Sequence, residues 1–174
     1  MNFLLGFSAS LLSTIVFAYV LFYLLKPKIK ISDSIAFLPS KTGKNYKFKF
    51  YNKSKFKAFD VRFELLSCKE YEATKNTEGV NVRMNDVKLT NSKILFIPKY
   101  GNSKKERYAQ NCVTVRVRED DLMGILSEDN SYLEFRITLK HGFSNLSNTF
   151  TKKYRTTKCF VKGDFEFGNT FKIT

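Results

Sequence analysis

Positions 3 to 25 read FLLGFSASLLSTIVFAYVLFYLL, a run without one charged side chain. At 1.5 Å per residue such a run reaches about 34 Å as a helix, enough to cross a ~30 Å hydrocarbon core. Its backbone can be satisfied in lipid only as a helix, so a single transmembrane helix over 3–25 is the reading. A cleaved signal peptide would need a basic leader and small residues before the cut. Met1-Asn2 supplies no cation, and the trailing FYLLKPK supplies no small residue. Tyr19 and Tyr23 fit an interfacial aromatic belt. Gly6, Ser10, Thr14 and Ala18 recur every fourth residue, a stripe of small side chains on which a second helix could pack to form a homo-oligomer.

Charge begins only after Leu25. Residues 26–57 hold ten Lys against the single Asp33. Lys26, Lys28 and Lys30 follow the apolar run directly, and basic residues flanking a membrane helix stay on the cytoplasmic side. Residues 26–31 therefore read as a basic juxtamembrane linker that orients the chain and meets anionic lipid. Residues 32–174 read as a domain at the cytoplasmic face of the cell's inner (plasma) membrane. Three cysteines, Cys68, Cys112 and Cys159, each in or beside an apolar strand pattern, suit buried thiols in a reducing compartment. The sequons at Asn52 and Asn145 would be silent there.

Beyond Pro27 the apolar period becomes two. Tyr46, Phe48 and Phe50 alternate with Lys47 and Lys49; Phe59, Val61, Phe63 and Leu65 alternate with Asp60, Arg62 and Glu64. The pattern returns at Val113 to Val117 and at Leu133 to Leu139, with shorter candidates at 29–37, 80–84, 94–97, 150–154 and 158–167. Half-buried strands show this alternation, and seven to nine of them between turn signals predict an all-β antiparallel sandwich, immunoglobulin-like in size and spacing. Only 120–126 reads as a helical turn, with Asp120 or Asp121 as N-cap.

A membrane helix, a Lys-rich junction and a cytoplasmic sandwich together resemble the layout of the immunoglobulin-like C-terminal domain of inward-rectifier potassium channels, over residues 26–174. The channel's second membrane helix, pore helix and TxGYG-like filter have no counterpart here, so the resemblance implies architecture and not conduction.

Little in the sequence suggests catalysis. His141 is the single histidine, with no partner visible in sequence, and strand cysteines of this kind pack rather than react. No C-x₂-C spacing suggests zinc, Glu119-Asp120-Asp121 diverge as consecutive residues must, and Gly163-x₄-Gly168 lacks the Lys-Ser/Thr of a phosphate loop. No metal or cofactor is expected. Two basic loops, with Lys104, Lys105 and Arg107 in one and Lys152, Lys153 and Arg155 in the other, interleave cations with tyrosine and could hold a small anionic ligand. Nucleic acid is disfavoured because 23 Lys outweigh 7 Arg. The expected function is a non-enzymatic, membrane-anchored module that recruits a protein partner or senses a ligand. The other reading is an oligomeric membrane effector of a defence or signalling system, gated by an anionic ligand such as a nucleotide.

Overall fold

A computed structural model describes residues 2–20, 23, 26–40, 43–72, 79–101, 111–117, 121–142 and 144–174. Helix α1, Asn2–Tyr19, is 18 residues long, or about 27 Å. Val20 and Tyr23 are wound in wider, π-type turns. Among the described residues no helix is long and apolar enough to cross a membrane. The described helix is thus shorter than the expected span over 3–25, whose Leu21, Phe22, Leu24 and Leu25 lie outside the described residues. Pro27 has no N–H to donate and disfavours helical backbone just before it, which sets a limit on winding from the other side. On α1 Phe7, Leu11, Leu12, Ile15, Val16 and Phe17 are all exposed, and together they circle the helix.

The rest is a sandwich of two five-stranded sheets. In the first, β3 (Gly43–Asn52) carries β2 (Ile35–Ser40) and β1 (Ile29–Ile31) end to end along one edge and β7 (Cys112–Arg116) along the other. In the second, β4 (Ala58–Glu72) carries β5 (Val80–Val87) and β6 (Lys93–Ile97) on one edge and β8 (Ser131–His141) on the other, with β9 (Ser147–Tyr154) beyond it. The single strand expected over 29–37 is broken at Ser32, whose hydroxyl accepts the Ser34 N–H instead. After a 3₁₀ turn at Thr157–Cys159, β10 (Phe160–Lys162) pairs with β2 in parallel, an exception to the antiparallel expectation.

The alternating residues meet as their spacing requires. Tyr46, Phe48 and Phe50 face Phe63, Leu65, Phe135 and Ile137, all essentially buried, with Phe48 stacked on Phe135 at 5.0 Å. Helix α2 (Leu122–Ser127) closes one end with buried Leu122 and Leu126, and Asp121 caps it by accepting the Gly124 N–H at 3.0 Å. The Tyr154 hydroxyl donates to the Ser32 carbonyl at 2.7 Å, tying the two sheets together in the interior.

The C-terminal residues form a small hairpin across the outer face of the first sheet. Asp164 and Thr174 exchange backbone bonds of 2.8 and 3.0 Å, and Glu166 donates to the Lys172 carbonyl at 2.9 Å. Gly163 makes the entry at φ +135, where an added Cβ would lie 2.5 Å from the Thr174 carbonyl oxygen. This strap covers Lys47 and Lys49, whose places in the alternation would otherwise face water. Lys47 pairs with Asp164, and buried Lys49 donates to the Glu166 carbonyl at 2.6 Å.

Candidate helix-proximal basic site

The end of the sandwich opposite α2 is where α1 leads in. Its loop 53–57, between β3 and β4, is held by buried polar groups. Asn52, fully buried, donates through Nδ2 to the Phe56 and Pro98 carbonyls (2.9 and 3.0 Å) and accepts the Ser54 N–H at 2.9 Å. Buried Asn111 donates to the Asn52 carbonyl at 3.1 Å. Ser54 accepts the Lys28 N–H at 2.7 Å, and the Lys53 N–H donates to the Lys28 carbonyl at 2.7 Å. These bonds stitch the linker leaving the helix to the loop, and the Tyr100 N–H donates to the Ser54 carbonyl at 2.9 Å to bring in the chain after β6.

The side chains left pointing outward are lysines. Lys26, Lys28, Lys53, Lys55, Lys57 and Lys99 are all exposed. None of the six has an ion-pair partner among the described residues, whereas Lys69, Lys93, Lys140 and Arg62 elsewhere on the surface do. Asp60, three residues beyond Lys57, does not restore neutrality. Asp60 sits on a β-bulge at φ +46 and already serves Lys93, Arg62 and Lys140 at 3.2, 3.3 and 3.7 Å. Hydrogen bonds from Lys93 and Arg62 hold its carboxyl below the usual range. A recess of about 540 Å³ beside this end is lined by Tyr23, Lys26, Pro27, Leu146, Ser147 and Asn148.

Of the three orienting lysines read from sequence, Lys26 and Lys28 belong to this end. Lys30 instead lies over the Phe171 ring, 5.6 Å away, on the outer face of the first sheet. The small-residue stripe lies on α1, where the Thr14 hydroxyl donates back to the Ser10 carbonyl at 2.9 Å and a Cβ at Gly6 would meet nothing within 4 Å.

The two candidate anion-binding loops fare differently. Lys104, Lys105 and Arg107 lie outside the described residues. Lys152 pairs with Asp33, Lys153 lies 3.7 Å from Glu134, and Arg155 lies 3.0 Å from Glu70. Lys153 and Arg155 also sit 4.9 and 4.6 Å from the centre of the buried Tyr132 ring. Glu134 is itself nearly buried and takes 2.6 Å contact from Arg136. These cations thus meet carboxylates of their own domain, and they cover the small apolar cluster of Leu66, Cys68 and Tyr132. Sequence reasoning missed Asn52, Ser54 and Asn111, because buried amides and hydroxyls at a strand end look like turn residues in one dimension.

The thiols are poised against reaction. Burial pushes Cys112 and Cys159 up to about 11 from 9.0, and Cys112 donates to the Asn169 Oδ1 at 2.7 Å. Cys68 also is raised by burial. The nucleophile is the thiolate, so native thiols should alkylate far more slowly than denatured ones at mildly alkaline pH. Quantifying iodoacetamide adducts by mass spectrometry at pH 8.5, with and without denaturant, checks this; equal rates would contradict the burial. The linkage has a definite sign. Between about 9 and 11 the unfolded thiols lose protons that the folded ones keep, so these groups withdraw stability as pH rises. Lys49, lowered by burial, acts oppositely and adds stability on the way up to 10.5.

Among the described residues no cluster of three or more His, Cys, Asp or Glu could hold a metal ion. His141 stands at the end of β8 with its Nδ1 3.2 Å from the Ser144 hydroxyl and its ring edge-on to Phe56. Comparison with family models gives no match, and no curated protein matches the chain.

Proposed function

We propose that this chain is a non-catalytic, helix-anchored module, an immunoglobulin-like sandwich held at the cytoplasmic face of the inner membrane to recruit a protein partner or sense a ligand there. One observation carries the reading: a helix whose described large apolar side chains are exposed leads into an end of the sandwich where six exposed lysines lack carboxylate partners among the described residues. A helix apolar on every side has no favourable place in water and is stable when lipid surrounds it. Anchoring through 3–25 rests further on the charge-free sequence, which continues beyond the described helix to Leu25. The lysines then follow the rule that basic flanks remain cytoplasmic. The small stripe on α1 leaves room for a second copy of the helix.

The test uses the full chain. Membranes washed with alkaline carbonate should retain it, and a C-terminal green fluorescent protein fusion should glow while a C-terminal alkaline phosphatase fusion stays inactive. Release by carbonate would sink the anchor. An active phosphatase would invert the topology and remove the orienting role of Lys26 and Lys28.

A further inference from the structure

Beyond the lysines, the helix-proximal end carries apolar side chains that the fold leaves uncovered. Phe96 and Phe59 lie ring to ring at 6.3 Å and are 46% and 40% exposed; the adjacent Leu95 is 73% exposed. Exposure of that order on neighbouring large side chains is unexpected unless something covers them. Around them stand cations. Lys57 Nζ lies 5.8 Å from the centre of the Phe96 ring, and Lys99 follows two residues after Ile97, the last residue of β6.

We infer that loop 53–57 and the end of β6 form a peripheral docking face for an anionic bilayer, with Phe96 and Leu95 at the acyl boundary and Lys53, Lys55, Lys57 and Lys99 among the headgroups. This rests on the anchor reading above and goes beyond it by giving the domain a fixed attitude on the membrane. Three features select lipid as the occupant. The face adjoins the segment through which the helix arrives, joined to it by the bonds among Lys28, Lys53 and Ser54. Its lysines have no ion-pair partner among the described residues and are of the sign that anionic lipid attracts, and aromatic residues beside lysines whose stems run along apolar surface suit the interface. A second copy docked on the same patch would set lysines against lysines, which association does not tolerate at close range.

The chain has no tryptophan, so one introduced indole reports one position. Three full-chain variants, Phe96→Trp, Phe17→Trp in α1 and Tyr71→Trp, are reconstituted into vesicles with brominated acyl chains, of phosphatidylcholine alone or of two parts phosphatidylcholine to one part phosphatidylserine. Tyr71 lies at the other end of β4 from Phe59, about 40 Å along the strand. Phe17→Trp should be quenched in both vesicles and Tyr71→Trp in neither. Phe96→Trp emission should fall roughly twofold in the anionic vesicles only, and recover near 1 M salt, where screening shortens to ~3 Å. Changing Lys53, Lys55, Lys57 and Lys99 to Gln, all exposed positions, should abolish that quenching. A quenched Phe17→Trp beside an unquenched Phe96→Trp overturns the docking face alone. An unquenched Phe17→Trp overturns the anchor and the docking face with it. Quenching of Phe96→Trp that ignores lipid charge, or survives the Gln changes, also overturns the inference, as does concentration-dependent shielding of Phe96→Trp in detergent without lipid, which would assign the face to a second copy.

Discussion

Phe135→Ala should lower the unfolding free energy by about 3–5 kcal/mol, a large share of the ~5–15 kcal/mol typical of a domain. The side chain is fully buried on β8 and stacks on Phe48 of the opposite sheet at 5.0 Å, with Phe50 at 6.1 Å. Truncation therefore loses transfer energy and opens a cavity between two sheets, where relaxation is limited because each wall is held by its own ladder. Denaturant unfolding of the full chain in detergent, followed by circular dichroism, reads the loss. Phe135→Leu should cost far less because it keeps most of the volume. Similar small losses from both substitutions would mean that the sheets close over the gap, contrary to the packing described.

Asn52→Ala should be nearly as damaging although it removes no large side chain. Its amide makes three hydrogen bonds in a fully buried place, to the Phe56 carbonyl, the Pro98 carbonyl and the Ser54 N–H. Removing one partner leaves the others desolvated, at about 1–3 kcal/mol for each group stranded, so a loss of about 3 kcal/mol or more is expected unless water enters. The effect should be local as well as global. Hydrogen exchange of the amides of loop 53–57 should quicken in the variant before the strands of the second sheet respond. Asn52→Asp, which keeps the acceptor for the Ser54 N–H but sets a buried carboxylate oxygen against the Phe56 and Pro98 carbonyls, should cost at least as much as Asn52→Ala. An unchanged midpoint and unchanged exchange for Asn52→Ala would show that the loop stands without this amide.

Much of the architecture is legible in one dimension wherever a strand has one buried face and one wet one. Val61 to Leu65 and Leu133 to Leu139 alternate cleanly, and the register of β4 with β8 follows, but the bulge at Asp60 takes Phe59 out of the buried row in which alternation places it, leaving it 40% exposed. The same rule misreads Lys49. It lies on the outer face as alternation requires, yet it is buried, because residues more than a hundred positions later fold over it. No local pattern announces that cover, since Phe165 and Phe171 look like any other strand aromatics until their partners are known. The basic site beside the entry of α1 divides in the same way. Its lysines are visible as a run with one acid, whereas the absence of ion pairs among the described residues depends on where Asp60 and the other carboxylates are placed in space. The limit of α1 at Tyr19 was hidden for another reason, since hydropathy records a preference for lipid and not the path of the backbone.

The parallel pairing of β2 with β10 bears on the order in which the molecule can be assembled. Ile35 takes its place opposite Phe160, so the first sheet keeps an open edge until nearly the whole domain has left the ribosome. Contacts of such separation close slowly, because the intervening loop entropy must be overcome before the contact is gained. Translation delivers Ile35–Ser40 long before Phe160–Lys162. Each nascent chain thus passes through an interval in which Ile35–Ser40 still waits for a neighbour, and an early arrest would leave a β-edge able to pair with another unfinished chain.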